Sequence, residues 1–193
     1  RWASRGALKL LHALDAFGID PAGRAALDLG ASTGGFTDAL LERGAARVTA
    51  ADVGRGQLHP RLAADPRVTA LEGTDVRRLP EGIAQAAALI VADLSFIALA
   101  KALPPVLAAA RPGARLVALV KPQFEAGRAA VGKGGLVRDP AAQAAAVAAV
   151  RETVAAASWR VLGVVESPVT GGDGNREWLL AAEKGLDAAS GAG

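Results

Sequence analysis

Ala25-Ala-Leu-Asp-Leu-Gly-Ala-Ser-Thr-Gly-Gly-Phe36 is the stretch on which the fold turns. Ala25 to Leu29 is a short apolar run carrying one carboxylate, Gly30 closes it, and a helical pattern runs from Gly35 to Arg43. A strand that turns through glycine into a helix opens a nucleotide-type α/β unit. The same cadence continues outward. Strands are predicted at Arg47 to Ala51 (ending in Asp52), Arg67 to Leu71, Ala87 to Ala92 and Arg115 to Val120, with helices near Gln57 to Ala64 and up to Ala110. Uninterrupted apolar strands alternating with helices indicate a parallel sheet covered on both faces.

A long alanine-rich helix, Pro140 to Ala157, leads to a sixth strand at Arg160 to Val165. The last strand, Glu177 to Ala182, follows after a gap too short for a crossover helix and rich in glycine (Gly171, Gly172, Gly174). Strands six and seven are therefore predicted to be antiparallel. Ahead of the sheet, Ser4 to Phe17 reads as an amphipathic helix with Ser4 as its N-cap. From Lys184 onward the glycine, alanine and serine content predicts a flexible tail.

Composition narrows the function classes. At 193 residues, 51% hydrophobic and 21% charged, the chain suits one globular domain with a sizeable core. Zero cysteines exclude thiolate metal sites, disulfides and cysteine nucleophiles, and two histidines leave little for a metal cluster, so no metal is expected. No run reaches a membrane span. The net charge of +3 permits a nucleic-acid partner without requiring one, because the 17 arginines and about a quarter alanine fit a genome-wide compositional habit. The chain opens at Arg1 and contains no methionine, which predicts a domain cut from a longer protein.

Three chemistries compete for the glycine loop. Gly30-Ala-Ser-Thr-Gly34 matches a hydrolase nucleophile elbow, but that triad needs a histidine late in the chain and none follows His59. A nicotinamide dinucleotide would meet Ser32 where its pyrophosphate requires glycine. S-adenosylmethionine carries no phosphate. Gly30, Gly34 and Gly35 would let it pass close to the backbone, Asp28 would hold its ammonium, Asp52 its ribose hydroxyls and Asp75 its adenine amine. Asp52 fits both nucleotide readings, and the loop alone does not separate them.

Ligands of open α/β sheets bind beyond the carboxyl ends of the strands. Asp93 ends strand four and Lys121 ends strand five, and an antiparallel strand seven would begin at that same edge with Glu177. Lys9 joins them if the first helix crosses there.

Six motifs now stand in order: Ser4-Arg-Gly-Ala-Leu-Lys-Leu10, Asp28 to Phe36, Ala51-Asp-Val-Gly54 with Gln57-Leu58, Ala92-Asp-Leu-Ser-Phe-Ile97, Val120-Lys-Pro-Gln-Phe-Glu125 and Gly174-Asn-Arg-Glu177. Together, over residues 4 to 182, the chain resembles the catalytic domain of the TlyA-type (hemolysin A) rRNA methyltransferases, relatives of FtsJ. The resemblance implies a class I, Rossmann-like methyltransferase fold, a seven-stranded mostly parallel sheet with an antiparallel last strand, over residues 1 to 183. It implies a cytoplasmic enzyme that uses S-adenosylmethionine to methylate the 2′-hydroxyl of cytidine in ribosomal RNA of ribosomal subunits. It places a Lys-Asp-Lys-Glu catalytic tetrad on Lys9, Asp93, Lys121 and Glu177. Cofactor contacts are expected from Asp28, Gly30, Ser32, Thr33, Gly34, Gly35, Phe36, Asp52, Val53, Asp75, Val76 and Asp93. The resemblance also implies a small RNA-binding domain ahead of the catalytic one, which this chain is expected to lack.

Methyl transfer from a sulfonium is an in-line displacement, so alignment of the hydroxyl supplies most of the catalysis. Lys121 would accept the hydroxyl's hydrogen bond as a neutral amine or stabilise the alkoxide as a cation; Asp93 would orient it, and Lys9 and Glu177 would hold the ribose. The basic, glycine-bearing loop from Phe124 to Asp139 (Arg128, Lys133, Arg138), together with Arg5, would contact RNA phosphates. Two other classes are weighed against this: a membrane-active lysin, for which the first helix lacks the tryptophan- and lysine-rich build of an interfacial helix, and a catalytically silent RNA-binding module, which would not need the tetrad.

Overall fold

A computed structural model describes residues 1–186. Seven strands form one sheet in the order β3-β2-β1-β4-β5-β7-β6, where β1 is Ala25–Leu29, β2 Arg47–Ala51, β3 Val68–Leu71, β4 Leu89–Ala92, β5 Arg115–Val120, β6 Trp159–Glu166 and β7 Trp178–Lys184. The first five run parallel. β7 lies antiparallel to both β5 and β6 because the turn from Ser167 to Glu177 is too short to carry the chain back across the sheet. The expected architecture is the one found.

Strand alternation divides the core into two layers. Leu27, Leu29, Ile90 and Ala92 face helices α5 (Leu99–Ala109) and α7 (Pro140–Ala156). Ala26, Leu89 and Val91 face the opposite way, toward α1 (Gly6–Phe17) and α2 (Gly35–Glu42). Leu10 and Leu14 of α1 are buried there, each contributing about 1.5–3 kcal/mol of hydrophobic stabilisation. That apolar stripe carries α1 across the sheet and sets where Lys9 can reach.

Several boundaries differ from the sequence reading. α1 begins at Gly6 with Arg5 as its N-cap, and the Ser4 hydroxyl accepts the Gly6 N–H at 3.1 Å instead of capping deeper in the helix. α3 (Pro60–Ala63) starts three residues later than predicted, because Pro60 occupies its first turn and the His59 ring accepts the Arg61 N–H. A short helix α4 (Ile83–Ala86) precedes β4 and trims its start to Leu89. β7 begins at Trp178, leaving Glu177 immediately before it, and extends to Lys184, whose ammonium donates to the carbonyls of Leu107, Ala108 and Ala110 at the end of α5. Lys184 therefore belongs to the sheet; the rest of the expected tail lies, from 187 onward, outside the described residues.

The basic loop expected from Phe124 to Asp139 contains short helical turns. It holds α6 (Pro122–Glu125) and 3-10 turns at Arg128–Ala130 and Lys133–Gly135. Buried Asn175 clamps it, accepting from the Val137 N–H at 2.9 Å and donating to the Gly135 carbonyl at 2.8 Å.

Candidate active site

Parallel pairing brings the carboxyl ends of β1, β2, β4 and β5 to one edge, at Gly30, Asp52, Asp93 and Lys121. β7 pairs Trp178 with Val120, so Glu177 enters at the level of Lys121. The strand order reverses between β1 and β4, and a cleft of about 410 Å³ opens at that switch point.

Two ion pairs stand on this rim. Lys9 Nζ donates to Glu177 Oε1 at 2.6 Å, with both side chains almost wholly buried. Lys121 Nζ lies 2.6 Å from Asp93 Oδ1 and donates to the Ser95 hydroxyl at 3.0 Å. The pairs share one field. Burial pushes the Glu177 carboxyl above its ordinary range; Lys9, hydrogen-bonded to it, and the charge of Lys121 pull it back, while Asp93 pushes it up. The N-terminus of α1 closes the gap between them, since a Cβ added to Gly6 would lie 3.8 Å from Asp93 Oδ2. Gly171 leaves room on the other side: a Cβ there would come within 2.5 Å of Glu177 Oε2. Lys9, Asp93, Lys121 and Glu177 thus form one cluster.

The cleft beside them is lined by Gly30, Ser32, Asp52, Val53, Asp75, Val76 and Asp93 from the predicted cofactor set. Asp52 is held by two backbone donors, Ser32 N–H on Oδ2 and Gly54 N–H on Oδ1, both at 2.8 Å. Each oxygen keeps a second lone pair for a ligand hydroxyl. Ser32 adopts φ 52, the left-handed region that favours glycine, and that turn aims its N–H at Asp52. Gly30, at φ 79, passes so close to Asp93 that a Cβ would collide with the Asp93 carbonyl. Asp75 is engaged by the Arg77 guanidinium, which contacts both its oxygens and holds its carboxyl down at about 2.

Five predicted cofactor residues do not line the cleft. Gly34 and Gly35 serve packing: a Cβ on the first would strike Leu62, and on the second the Ser4 hydroxyl beneath α1. Phe36 is buried in the layer beneath α1, and Thr33 uses its carbonyl to accept the His59 N–H. Asp28 is completely buried, accepts from the Thr37 hydroxyl at 2.7 Å, and leaves its other oxygen without a donor. Loss of hydration pushes its carboxyl up to about 7. It lies behind the loop, against Thr37 of α2, and is not among the side chains that line the cleft.

Sequence reading also missed part of the wall. Gln57, Arg77, Leu94, Ser95, Phe96 and Ile97 line the cleft as well. Phe96 stands out: it is 91% exposed, adopts φ 64, and rests against Phe124 with ring centroids 5.2 Å apart. Hydropathy reads such a residue as core, so only its place directly after the Asp93 strand end could have flagged it.

Charge discriminates among ligands. Three carboxylates, Asp52, Asp75 and Asp93, face the cleft, and the N-terminus of α2 is packed beneath α1 and Leu62. Asp75 is paired with Arg77 and Asp93 with Lys121, which leaves Asp52, held only by backbone N–H groups, as the carboxylate open to ligand hydroxyls. The covered N-terminus of α2 offers a pyrophosphate no anion site. S-adenosylmethionine fits that arrangement. Asp52, the Gly30 turn and the apolar Val53 would hold it, and it would supply an electrophilic sulfonium methyl.

The comparisons agree with this geometry. A 16S/23S rRNA (cytidine-2′-O)-methyltransferase TlyA of Mycobacterium tuberculosis is 54% identical over 180 residues, covering 93% of this chain and 67% of that protein. The solved structure of a protein described as a hemolysin from Streptococcus thermophilus superposes with a TM-score of 0.91 at 38% identity, covering 97% of this chain and 70% of that one. The solved structure of a protein described as an S-adenosylmethionine-dependent methyltransferase from Listeria monocytogenes shares the fold, with a TM-score of 0.67 at 16% identity over 93% of this chain and 98% of its own. The family model described as FtsJ-like methyltransferase matches residues 2–184, and the chain belongs to that family.

Proposed function

We propose that this chain methylates the 2′-hydroxyl of a cytidine in ribosomal RNA, with S-adenosylmethionine as donor. The observation that carries this is the Lys9–Glu177 and Asp93–Lys121 cluster on the rim of an acidic cleft. The M. tuberculosis relative, of which the chain spans about two thirds, is named for the same reaction on 16S and 23S rRNA. Ribosomal substrate would place the protein in the cytoplasm.

When bound, S-adenosylmethionine would supply the methyl group as an electrophile, and the ribose hydroxyl would take it up and lose its proton to water. Lys121, an ammonium in its ion pair, stabilises the oxygen as negative charge develops on it. Asp93 holds that ammonium and adds negative charge to the cleft wall that would face the cofactor. Lys9 and Glu177 present a rigid donor and acceptor to the ribose, which fixes the in-line approach. Phe96 offers a ring on which the target base stacks. Arg5, which donates to the Thr170 carbonyl at 3.2 Å, and Arg128, Lys133 and Arg138 on the clamped loop supply phosphate contacts around the rim. Membrane lysis, the reading suggested by the hemolysin name, finds no such support. Among the described residues no helix is long and apolar enough to cross a membrane.

The test is methyl incorporation from radiolabelled S-adenosylmethionine into purified ribosomal subunits, followed by mapping and resynthesis of the target with 2′-deoxycytidine. Incorporation lost with the deoxy substrate is the expected result; transfer that persists would move the reaction to the base.

A further inference from the structure

We infer that Ser95 is a positioning residue that aims the Lys121 ammonium at the substrate oxygen. This rests on the role proposed above for Lys121. The ion pair with Asp93 fixes a distance but not a direction: Asp93 Oδ1 lies 2.6 Å from Nζ, yet it is buried and receives no aligned hydrogen bond. The aligned hydrogen bond of Lys121 goes instead to the Ser95 hydroxyl, at 3.0 Å. A lysine ammonium carries three N–H groups at tetrahedral angles and spins freely about its last carbon–nitrogen bond. One directed acceptor stops that rotation. With Asp93 beside it and Ser95 taking one donor, the remaining N–H vectors are set, and the methyl-transfer geometry tolerates little error in them.

The surrounding chain holds Ser95 in place. Residues 93–99 and 121–125 run side by side and are joined at two points beyond Lys121. Phe96 packs on Phe124, and Glu125 Oε1 accepts the Leu99 N–H at 2.9 Å at the start of α5. Phe96 keeps its left-handed φ of 64, a conformation that persists only where neighbouring contacts hold it. These two contacts tie the segments together, and the Ser95 hydroxyl is presented to Lys121 from between them.

The experiment compares the wild type with Ser95→Ala, Ser95→Thr and Lys121→Ala. It reads single-turnover methyl transfer at saturating cofactor, the cofactor Kd by calorimetry, and, in cofactor-free protein, the rate at which a succinimidyl ester acylates Lys121. Ser95→Ala is expected to slow transfer roughly 10- to 100-fold, leave Kd within about twofold, and raise Lys121 acylation about threefold or more as the amine loses its partner. Ser95→Thr, which keeps the hydroxyl, should restore both rates to near the wild type. A Ser95→Ala protein with unchanged transfer or unchanged Lys121 acylation overturns the inference, as does a threonine variant no better than alanine. If Lys121→Ala itself transfers methyl at the full rate, the proposed function falls instead; a slow Lys121→Ala beside a fast Ser95→Ala sinks only the role of Ser95.

Discussion

Lys9 and Glu177 lie 168 positions apart in the chain and meet in a buried ion pair of 2.6 Å. This contact staples the first helix to the start of the last strand and closes the active rim. Burying two charges gains little over well-packed apolar residues, but removing one partner strands the other. Lys9→Met should therefore cost about 3–5 kcal/mol of stability, whereas Glu177→Gln, which can still accept from Lys9, should cost less. Urea unfolding of both variants measures the difference. Methyl transfer should fall roughly 100-fold in each. Equal stability in Lys9→Met and wild type would mean that the pair carries no structural weight.

Asp28 gives the chain a pH signature. Burial holds its carboxyl up at about 7, well above the ordinary range of an aspartate. The native state keeps this proton where the unfolded state has lost it, so the stabilisation is full below the unfolded pKa and disappears as pH rises through about 7. Asn at this position accepts from Thr37 without ionising. Asp28→Asn should match the wild type near pH 4 and exceed it at pH 8, by at most about 4 kcal/mol. Thermal midpoints measured from pH 4 to pH 8 would show the gap opening; parallel curves would contradict the buried, proton-holding carboxyl.

The sheet and its rim were legible in the sequence because both depend on strand ends. A parallel strand exports whatever follows it, so Asp52, Asp93 and Lys121 could be placed by topology alone, and the short Gly171–Gly174 turn forced Glu177 to the same edge. Side-chain packing was not legible. Gly34 and Gly35 look identical in sequence to Gly30, yet only Gly30 meets the cleft, because the other two lie beneath α3 and α1. Asp28 followed strand alternation into the α1–α2 layer, and a motif cannot tell such a carboxylate from one that lines the cleft. Ser95 and Phe96 stand in the Ala92–Ile97 motif but are not singled out there as site residues, for the opposite reason, since their exposure comes from a left-handed residue at Phe96 that no periodicity encodes.

Gly171 separates activity from stability. Its φ is not positive and the backbone tolerates alanine, but the new Cβ would lie 2.5 Å from Glu177 Oε2 and 3.0 Å from Asp173 Oδ1. The Glu177 carboxylate must then shift against its bond to Lys9. Gly171→Ala should slow methyl transfer about 10- to 100-fold while lowering stability by no more than about 1–2 kcal/mol. Single-turnover rates beside a chemical melt decide it. A variant as fast as the wild type would show that Glu177 has slack.

The basic loop makes a prediction in salt. Arg128 sits on the first of the two 3-10 turns and Lys133 on the second; Asn175, two positions before Glu177, ties down Gly135, the last residue of that second turn. If each neutralises a phosphate, each releases about 0.7 of a counterion on single-stranded RNA. Replacing both by alanine should reduce the slope of log K against log salt by about 1.4, with the loss of affinity greatest at low salt. Binding titrations of a ribosomal RNA fragment across salt concentrations give this slope directly. Asn175→Ala should weaken binding through a different route, loosening the loop while leaving its charges in place, so the slope should stay nearer the wild-type value. A slope unmoved by the double replacement would leave the loop as scaffold and shift the RNA contacts to Arg5 and the far side of the rim.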